Sequence, residues 1–155
     1  MREALHVDRF SSLTAYMAKT LTNIFAIIFI LLGLLGFVSN PLIGINALFA
    51  TDAMHNVLHL VLGVVLLLVA FWANKNLLLW LKIIGALVFL LGVFGIFTVP
   101  STGGTLLGFA FTNGASNWFH LIIGVAIFAS GIYGKNDTIM PPVSSVQPPN
   151  SRRFM

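Results

Sequence analysis

The chain of 155 residues is 58% hydrophobic and only 8% charged, with a formal net charge of +4. A soluble domain carries roughly 25% charged residues, so this composition excludes a globule coated by water and indicates an exterior that faces lipid. The basic residues stand at the ends of apolar runs and form no basic-aromatic patch, which argues against a nucleic-acid partner. The chain has no cysteine, which excludes disulfides and thiolate metal sites.

Four apolar runs follow one another, each long enough to cross about 30 Å of hydrocarbon as a helix. They cover residues 17–38, 53–73, 77–99 and 116–134. Residues 1–16 precede them as an N-terminal segment, and residues 135–155 follow as a Pro- and Ser-rich tail. We therefore predict an all-α membrane protein, a bundle of four transmembrane helices crossing the bilayer as a multi-pass protein.

The positions of the cations predict the orientation of these helices. All eight lie at one end of the predicted bundle: Arg2, Arg9, Lys19, Lys75, Lys82, Lys135, Arg152 and Arg153. The connections at the opposite end, residues 39–52 and 100–115, contain no Lys or Arg. The positive-inside rule then places both termini in the cytoplasm, and in a bacterium the protein is expected in the inner membrane.

An internal repeat divides the chain into two helix pairs. A shift of 59 residues superimposes Gly33, Gly36 and Pro41 on Gly92, Gly95 and Pro100, and a shift of 61 superimposes Asp52, Asn56, His59 and Gly63 on Asn113, Asn117, His120 and Gly124. Each unit contains two spans, so both units enter the membrane in the same direction. The predicted fold is two tandem helix-hairpin repeats in parallel orientation.

Glycines recur within the predicted helices. In lipid, small residues let helices approach closely, so these glycines predict the packing faces. They are Gly33, Gly36, Gly63, Gly85, Gly92, Gly95, Gly124 and Gly131.

A polar layer interrupts the second and fourth apolar runs. Asp52, Asn56 and His59 are spaced to share one helix face, and the fourth run repeats that face with Asn117 and His120. His59 lies seven residues below Asp52, or about 10 Å at helical rise, which predicts a position in the outer leaflet. His55 is an additional imidazole in the first copy.

Four hypotheses explain this layer. The asparagines and histidines form a structural polar clamp; or His59 and His120, joined by His55 and Asp52, ligate a metal ion or the central metal of a tetrapyrrole; or they line a proton or solute path; or they catalyse a reaction. Histidines that face each other favour an ion, and histidines that face lipid favour a pigment or haem. The chain contains no Ser-His-Asp pattern, zinc-helix motif or phosphate loop, so we predict that it is not an enzyme.

The motif His55-Asn56-x-x-His59-x-x-x-Gly63, with its second copy Asn117-x-x-His120-x-x-x-Gly124, resembles a bacterial family of four-span membrane proteins. That family is frequent in cyanobacteria and actinobacteria and is known only as a domain of unknown function. The resemblance covers roughly residues 17–134 and implies the fold and the membrane location. For a cyanobacterial member it further implies a thylakoid membrane and a chlorophyll or carotenoid neighbour.

Two functional hypotheses follow. The first is a non-enzymatic accessory or scaffold subunit of a larger membrane complex, with another membrane protein or a second copy of this chain as its partner. The alternative is a binding protein whose paired histidines hold a metal ion, haem or chlorophyll.

The predicted orientation can be tested by labelling single cysteines, because the chain has none of its own. In intact cells, a membrane-impermeant maleimide should label Asp52→Cys and leave Lys75→Cys unlabelled until the membrane is permeabilised. Equal labelling of both positions in intact cells would contradict the orientation.

Overall fold

The computed structural model describes residues 2–134, with side chains from Tyr16 onward except Asn74, so the predicted tail 135–155 lies outside the described residues. Its elements in chain order are α1 (Arg2–Leu35), α2 (Ala53–Trp72), a short 3₁₀ turn (Asn74–Asn76), α3 (Leu77–Thr98), strands β1 (Gly104–Leu106) and β2 (Ala110–Thr112), and α4 (Gly114–Tyr133). All four α-helices are long and apolar enough to span a membrane, α1 through its part Tyr16–Leu35. The predicted all-α bundle of four spans is confirmed, and the chain is a multi-pass integral membrane protein.

Two asparagine side chains set helix ends that hydropathy alone misplaces by two or three residues. α1 ends at Leu35 rather than at residue 38, because the Asn40 amide donates to the carbonyls of Leu35 and Val38 at 2.9 and 2.7 Å. α4 begins at Gly114 rather than at residue 116, because Asn113 caps it and accepts a hydrogen bond from the Ser116 N–H. α1 begins at Arg2 and is continuous into its span.

The helices pack as two hairpins, as the repeat predicts. α1 lies along α2 and α3 lies along α4, and contacts between the two hairpins are much sparser. At the centre, each helix contributes one large, fully buried apolar side chain: Phe29, Leu66, Leu81 and Ile127. Leu66 and Ile127 are equivalent under the 61-residue shift, so the two halves supply matching parts of one core.

Glycines bring the helices of each hairpin into close approach at equivalent places. A Cβ on Gly33 would lie 2.8 Å from the carbonyl oxygen of Asn56, and a Cβ on Gly92 would lie 2.8 Å from that of Asn117. One turn further, Gly36 lies against the Asn56 side chain as Gly95 lies against Asn117. The helix that carries each asparagine is therefore held against its partner at the level of the polar layer.

Gly85 provides a test of this close packing. A Cβ there would lie 2.7 Å from the backbone Cα of Phe128 on α4, and backbone cannot rotate away. Gly85→Ala should lower the free energy of unfolding by about 1–3 kcal/mol, because overpacking outweighs the ~1 kcal/mol gained in helix propensity. SDS-induced unfolding followed by circular dichroism measures this change.

Leu87→Ala is the matched control, since this side chain is exposed on the lipid face of the same helix. It should change the free energy of unfolding by less than about 0.5 kcal/mol. A Gly85→Ala protein as stable as the parent would contradict the packing.

Candidate metal centre

The polar layer lies beneath two connections, residues 36–52 and 99–113, which we call the loop end of the bundle. In the second connection, β1 pairs antiparallel with β2 in the register Leu106↔Ala110. Leu107 and Gly108 form the turn with φ values of 54° and 71°, the signs that a type I′ turn requires. β2 packs against α2, and Leu106 and Ala110 are buried. The hairpin therefore covers the polar layer with apolar side chains.

The first connection reaches across to the other helix pair. Asn113, at the start of α4, donates to the Leu48 carbonyl at 3.0 Å and accepts from the Ala50 N–H at 3.3 Å. The Ser116 hydroxyl donates to the Ala50 carbonyl at 3.2 Å. These bonds join the first connection to the fourth helix.

The reciprocal bond involves His55. Its Nδ1 lies 2.7 Å from the Phe111 carbonyl of β2. Under the 61-residue shift, His55 corresponds to Ser116 and Phe111 to Ala50, so the same cross-hairpin bond is made twice, once by serine and once by histidine. A carbonyl only accepts, so Nδ1 carries the proton and the Nε2 lone pair of His55 remains available.

Asp52 and Asn113 serve as equivalent helix caps. Asp52 Oδ1 accepts from the His55 N–H at 2.8 Å, and Asn113 Oδ1 accepts from the Ser116 N–H at 3.0 Å. Asp52 is held at the start of α2 by this bond, and the group of side chains able to share a metal ion does not include it.

Three histidines converge under the loops. One potential ligand atom from each of His55, His59 and His120 lies within 4.8 Å of the other two. The ring centroids of His59 and His120 are 5.8 Å apart, and those of His55 and His120 are 5.3 Å apart. All three side chains are buried, at 5, 7 and 8% exposed. The histidines of the two repeats therefore face one another inside the bundle and not the lipid.

Several ring nitrogens of this cluster have no hydrogen-bond partner among the described residues. They are both nitrogens of His59 and Nδ1 of His120. A buried polar atom without a partner costs about 1–3 kcal/mol, so such atoms in a native site call for a water molecule, a ligand or an ion.

The two asparagines of the motif lie beside the cluster with different partners. Asn117 Oδ1 accepts from the Thr112 hydroxyl at 3.0 Å, which ties α4 to β2. Asn56 packs against Gly36, and its Oδ1 has no hydrogen-bond partner within the described part of the chain.

A cavity of about 130 Å³ adjoins the histidines. Its walls include all three imidazoles, Phe29 and Leu62 from α1 and α2, and Val88 from α3. A smaller space of about 20 Å³ lies on the opposite side of the cluster, beneath the first connection. The three histidines therefore have space on one side for a bound ion or a small molecule.

The repeat predicts the pair His59 and His120 and does not require His55, whose counterpart is Ser116. The structure makes His55 the third member of the cluster. The i, i+4 spacing of His55 and His59 was a usable signal, because it places both rings on one helix face. The Phe111 carbonyl carried no such signal, since any residue supplies a carbonyl.

The model of one protein family matches residues 19–133, and its description is domain of unknown function (DUF4383). The chain belongs to this family. The match covers the four spans and confirms the resemblance seen in the motif. Comparisons with curated proteins and with solved structures gave no match.

The asymmetry between the two caps yields a prediction. Asn113→Ala removes a cap and two bonds to the first connection, so it should lower the free energy of unfolding by about 2–3 kcal/mol. Asp52→Ala removes a cap alone and should cost about 1 kcal/mol. SDS unfolding of the two variants measures the difference, and an equal or smaller loss for Asn113→Ala would contradict the cross-hairpin bonds.

Proposed function

We propose that this membrane protein binds one transition-metal ion through His55, His59 and His120. The observation that supports this is the convergence of three buried imidazole ligand atoms within 4.8 Å. Neutral imidazole is a common ligand of zinc, copper, iron and nickel. The chain has no cysteine to offer as a competing soft ligand.

The geometry is close to that of a bound ion. At a zinc–nitrogen distance of about 2.0–2.1 Å, tetrahedral ligand nitrogens lie roughly 3.3 Å apart. The ligand atoms of the three histidines lie within 4.8 Å of one another, and side-chain shifts of about 1 Å would bring them to that spacing. Rotation about the χ angles supplies shifts of this size. Three protein ligands leave one position open, as in zinc sites that bind an exogenous molecule.

The bond from His55 to Phe111 supports the same function. A metal-bound histidine almost always donates its other ring N–H to a carbonyl or carboxylate, which fixes the ring and its tautomer. His55 Nδ1 makes this bond at 2.7 Å with a backbone carbonyl of β2. The imidazole is thus oriented with Nε2 available to a metal ion.

An ion fits this site better than a tetrapyrrole does. A macrocycle places its axial ligands on opposite faces, whereas these three rings converge on one point. The adjoining cavity of about 130 Å³ is also below the roughly 300 Å³ of a typical pocket for a drug-sized ligand. We therefore favour the metal-ion form of the binding hypothesis over haem or chlorophyll.

The other expectations stay predictions. They are the accessory or scaffold role, the absence of catalysis, the membrane-protein partner, the cytoplasmic termini, and the thylakoid location with its pigment neighbours. With cytoplasmic termini, the loop end would face outward and the metal ion would enter from the outer aqueous side.

Alanine substitution of each histidine tests the function. The purified full-length protein should bind Zn²⁺ with 1:1 stoichiometry in competition with a chromophoric chelator. Because each variant removes a direct ligand, His55→Ala, His59→Ala and His120→Ala should each raise the Kd by at least ~100-fold, beyond the 10- to 100-fold effect of an outer-shell change.

His6→Ala is the control for the loss of one imidazole, since His6 is the remaining histidine of the sequence and precedes the first predicted span. It should bind Zn²⁺ like the parent, and in both proteins Zn²⁺ should raise the thermal midpoint. Unchanged helical circular dichroism shows that the variants remain folded. Normal Zn²⁺ binding by His59→Ala would overturn the proposal.

A further inference from the structure

We infer that the cavity beside the histidines admits a small, uncharged, apolar molecule from the lipid phase and places one donor atom of that molecule on the metal ion. This inference rests on the proposed function, because it assigns the occupant of the fourth coordination position. It goes beyond metal binding by naming a second ligand and the route by which it arrives.

The size of the cavity limits the class of ligand. A cavity of about 150 Å³ lined by Leu, Ile and Phe binds benzene or xenon and stays free of water, and this cavity measures about 130 Å³. Apart from the histidines and Thr112, its lining is apolar, with Phe29, Leu62 and Val88 at its inner side. None of the lining residues carries a carboxylate, ammonium or guanidinium group, so a charged ligand would lose its hydration without gaining a partner.

Most of the polar side-chain atoms that line the cavity belong to the rings of His55, His59 and His120. Thr112, the other polar lining residue, already donates its hydroxyl proton to Asn117. His59 is more than nine-tenths buried, and neither of its ring nitrogens has a partner among the described side chains and backbone. A ligand with an apolar body and a single donor atom fits this distribution, because its donor can reach the metal while its body contacts only carbon.

The rim of the cavity opens toward lipid. Leu58 of α2 and Leu91 of α3 both line the cavity and are 41 and 42% exposed. α2 and α3 belong to different hairpins, and because one exposed lining leucine comes from each, we place the mouth of the cavity between these two helices. A molecule dissolved in the hydrocarbon can therefore enter sideways without crossing the loop end.

The tip of the β-hairpin completes this apolar rim. Leu107 and Phe109 line the cavity and are 70 and 55% exposed. Leu107 has a φ of 54°, a left-handed conformation that favours glycine or asparagine over leucine. In this conformation Leu107 places an apolar side chain at the mouth of the cavity.

Pyridine is a suitable probe, because it has the size of benzene and one donor nitrogen. The full-length protein in nanodiscs is loaded with Co²⁺, whose visible absorption reports its ligands. Pyridine should shift the cobalt bands, benzene should compete with it, and acetate, a charged donor, should leave the bands unchanged. Methyl NMR of the metal-free protein, with benzene added, reports on the cavity without the metal.

Leu91→Trp places a large side chain in the mouth and should weaken pyridine binding at least ~10-fold, or 1.4 kcal/mol, while leaving the Co²⁺ affinity within two-fold of the parent. Leu90→Trp is the matched control, since Leu90 is exposed on the same helix and does not line the cavity. It should leave both affinities unchanged.

The outcomes separate this inference from the proposed function. Cobalt that binds with bands unmoved by pyridine would overturn the ligand inference and leave metal binding intact. Pyridine binding that is equal in Leu91→Trp and Leu90→Trp would overturn the lateral route. If no cobalt binds, both the proposed function and the inference of a coordinated ligand fail. Changes in the methyl resonances of Leu62 and Val88 on adding benzene would then show an apolar cavity and nothing more.

Discussion

A polar group inside a bilayer has no water to bond, so each one must find a partner within the protein. This constraint explains the loop end of the molecule. Two apolar connections cover the ends of α2 and α4, and each is tied to the opposite helix pair by a hydrogen bond, from Ser116 to Ala50 and from His55 to Phe111. Among the described residues, seven buried side-chain atoms nonetheless lack a hydrogen-bond partner, and three of these are ring nitrogens of His59 and His120.

The repeat places two different side chains, Ser116 and His55, at one structural position. In the second unit, a serine makes the cross-hairpin bond and has no further group to offer. In the first unit, the equivalent bond is made by His55, whose side chain is longer than that of serine and retains a second ring nitrogen. His55 thus keeps the cross-hairpin bond and adds a third imidazole to the pair His59 and His120. The pseudo-symmetry of the fold is broken at the cluster, where the first unit supplies two imidazoles and the second unit supplies one.

Hydropathy and the repeat predict most of the architecture because the bilayer requires it. Span length follows from the thickness of the hydrocarbon, and the tandem repeat predicts which helices pair. The exceptions are local: the side chains of Asn40 and Asn113 end one helix early and start another early. The β-hairpin was also missed, since its strands of three residues are too short for an alternation signal. Gly108 was the signal that the sequence offered for this turn, since the turn requires a positive φ there.

The candidate site was less predictable, for a geometric reason. Helical periodicity places Asn56 and His59 on one face of α2, but it does not state how one hairpin is rotated against the other. That rotation decides whether His59 and His120 face each other or the lipid, and here they face each other at a centroid distance of 5.8 Å. His55 joins them because the hairpin between α3 and α4 brings the Phe111 carbonyl to its ring. Neither relation is local in sequence.

In the proposed site three imidazoles, and no fewer, surround one ion. X-ray absorption at the zinc edge of the loaded full-length protein measures this directly, because imidazole rings give a characteristic multiple-scattering pattern. Three imidazole nitrogens at about 2.0–2.1 Å, with one further light ligand, are expected. A first shell of oxygen atoms with one imidazole or none would contradict the account.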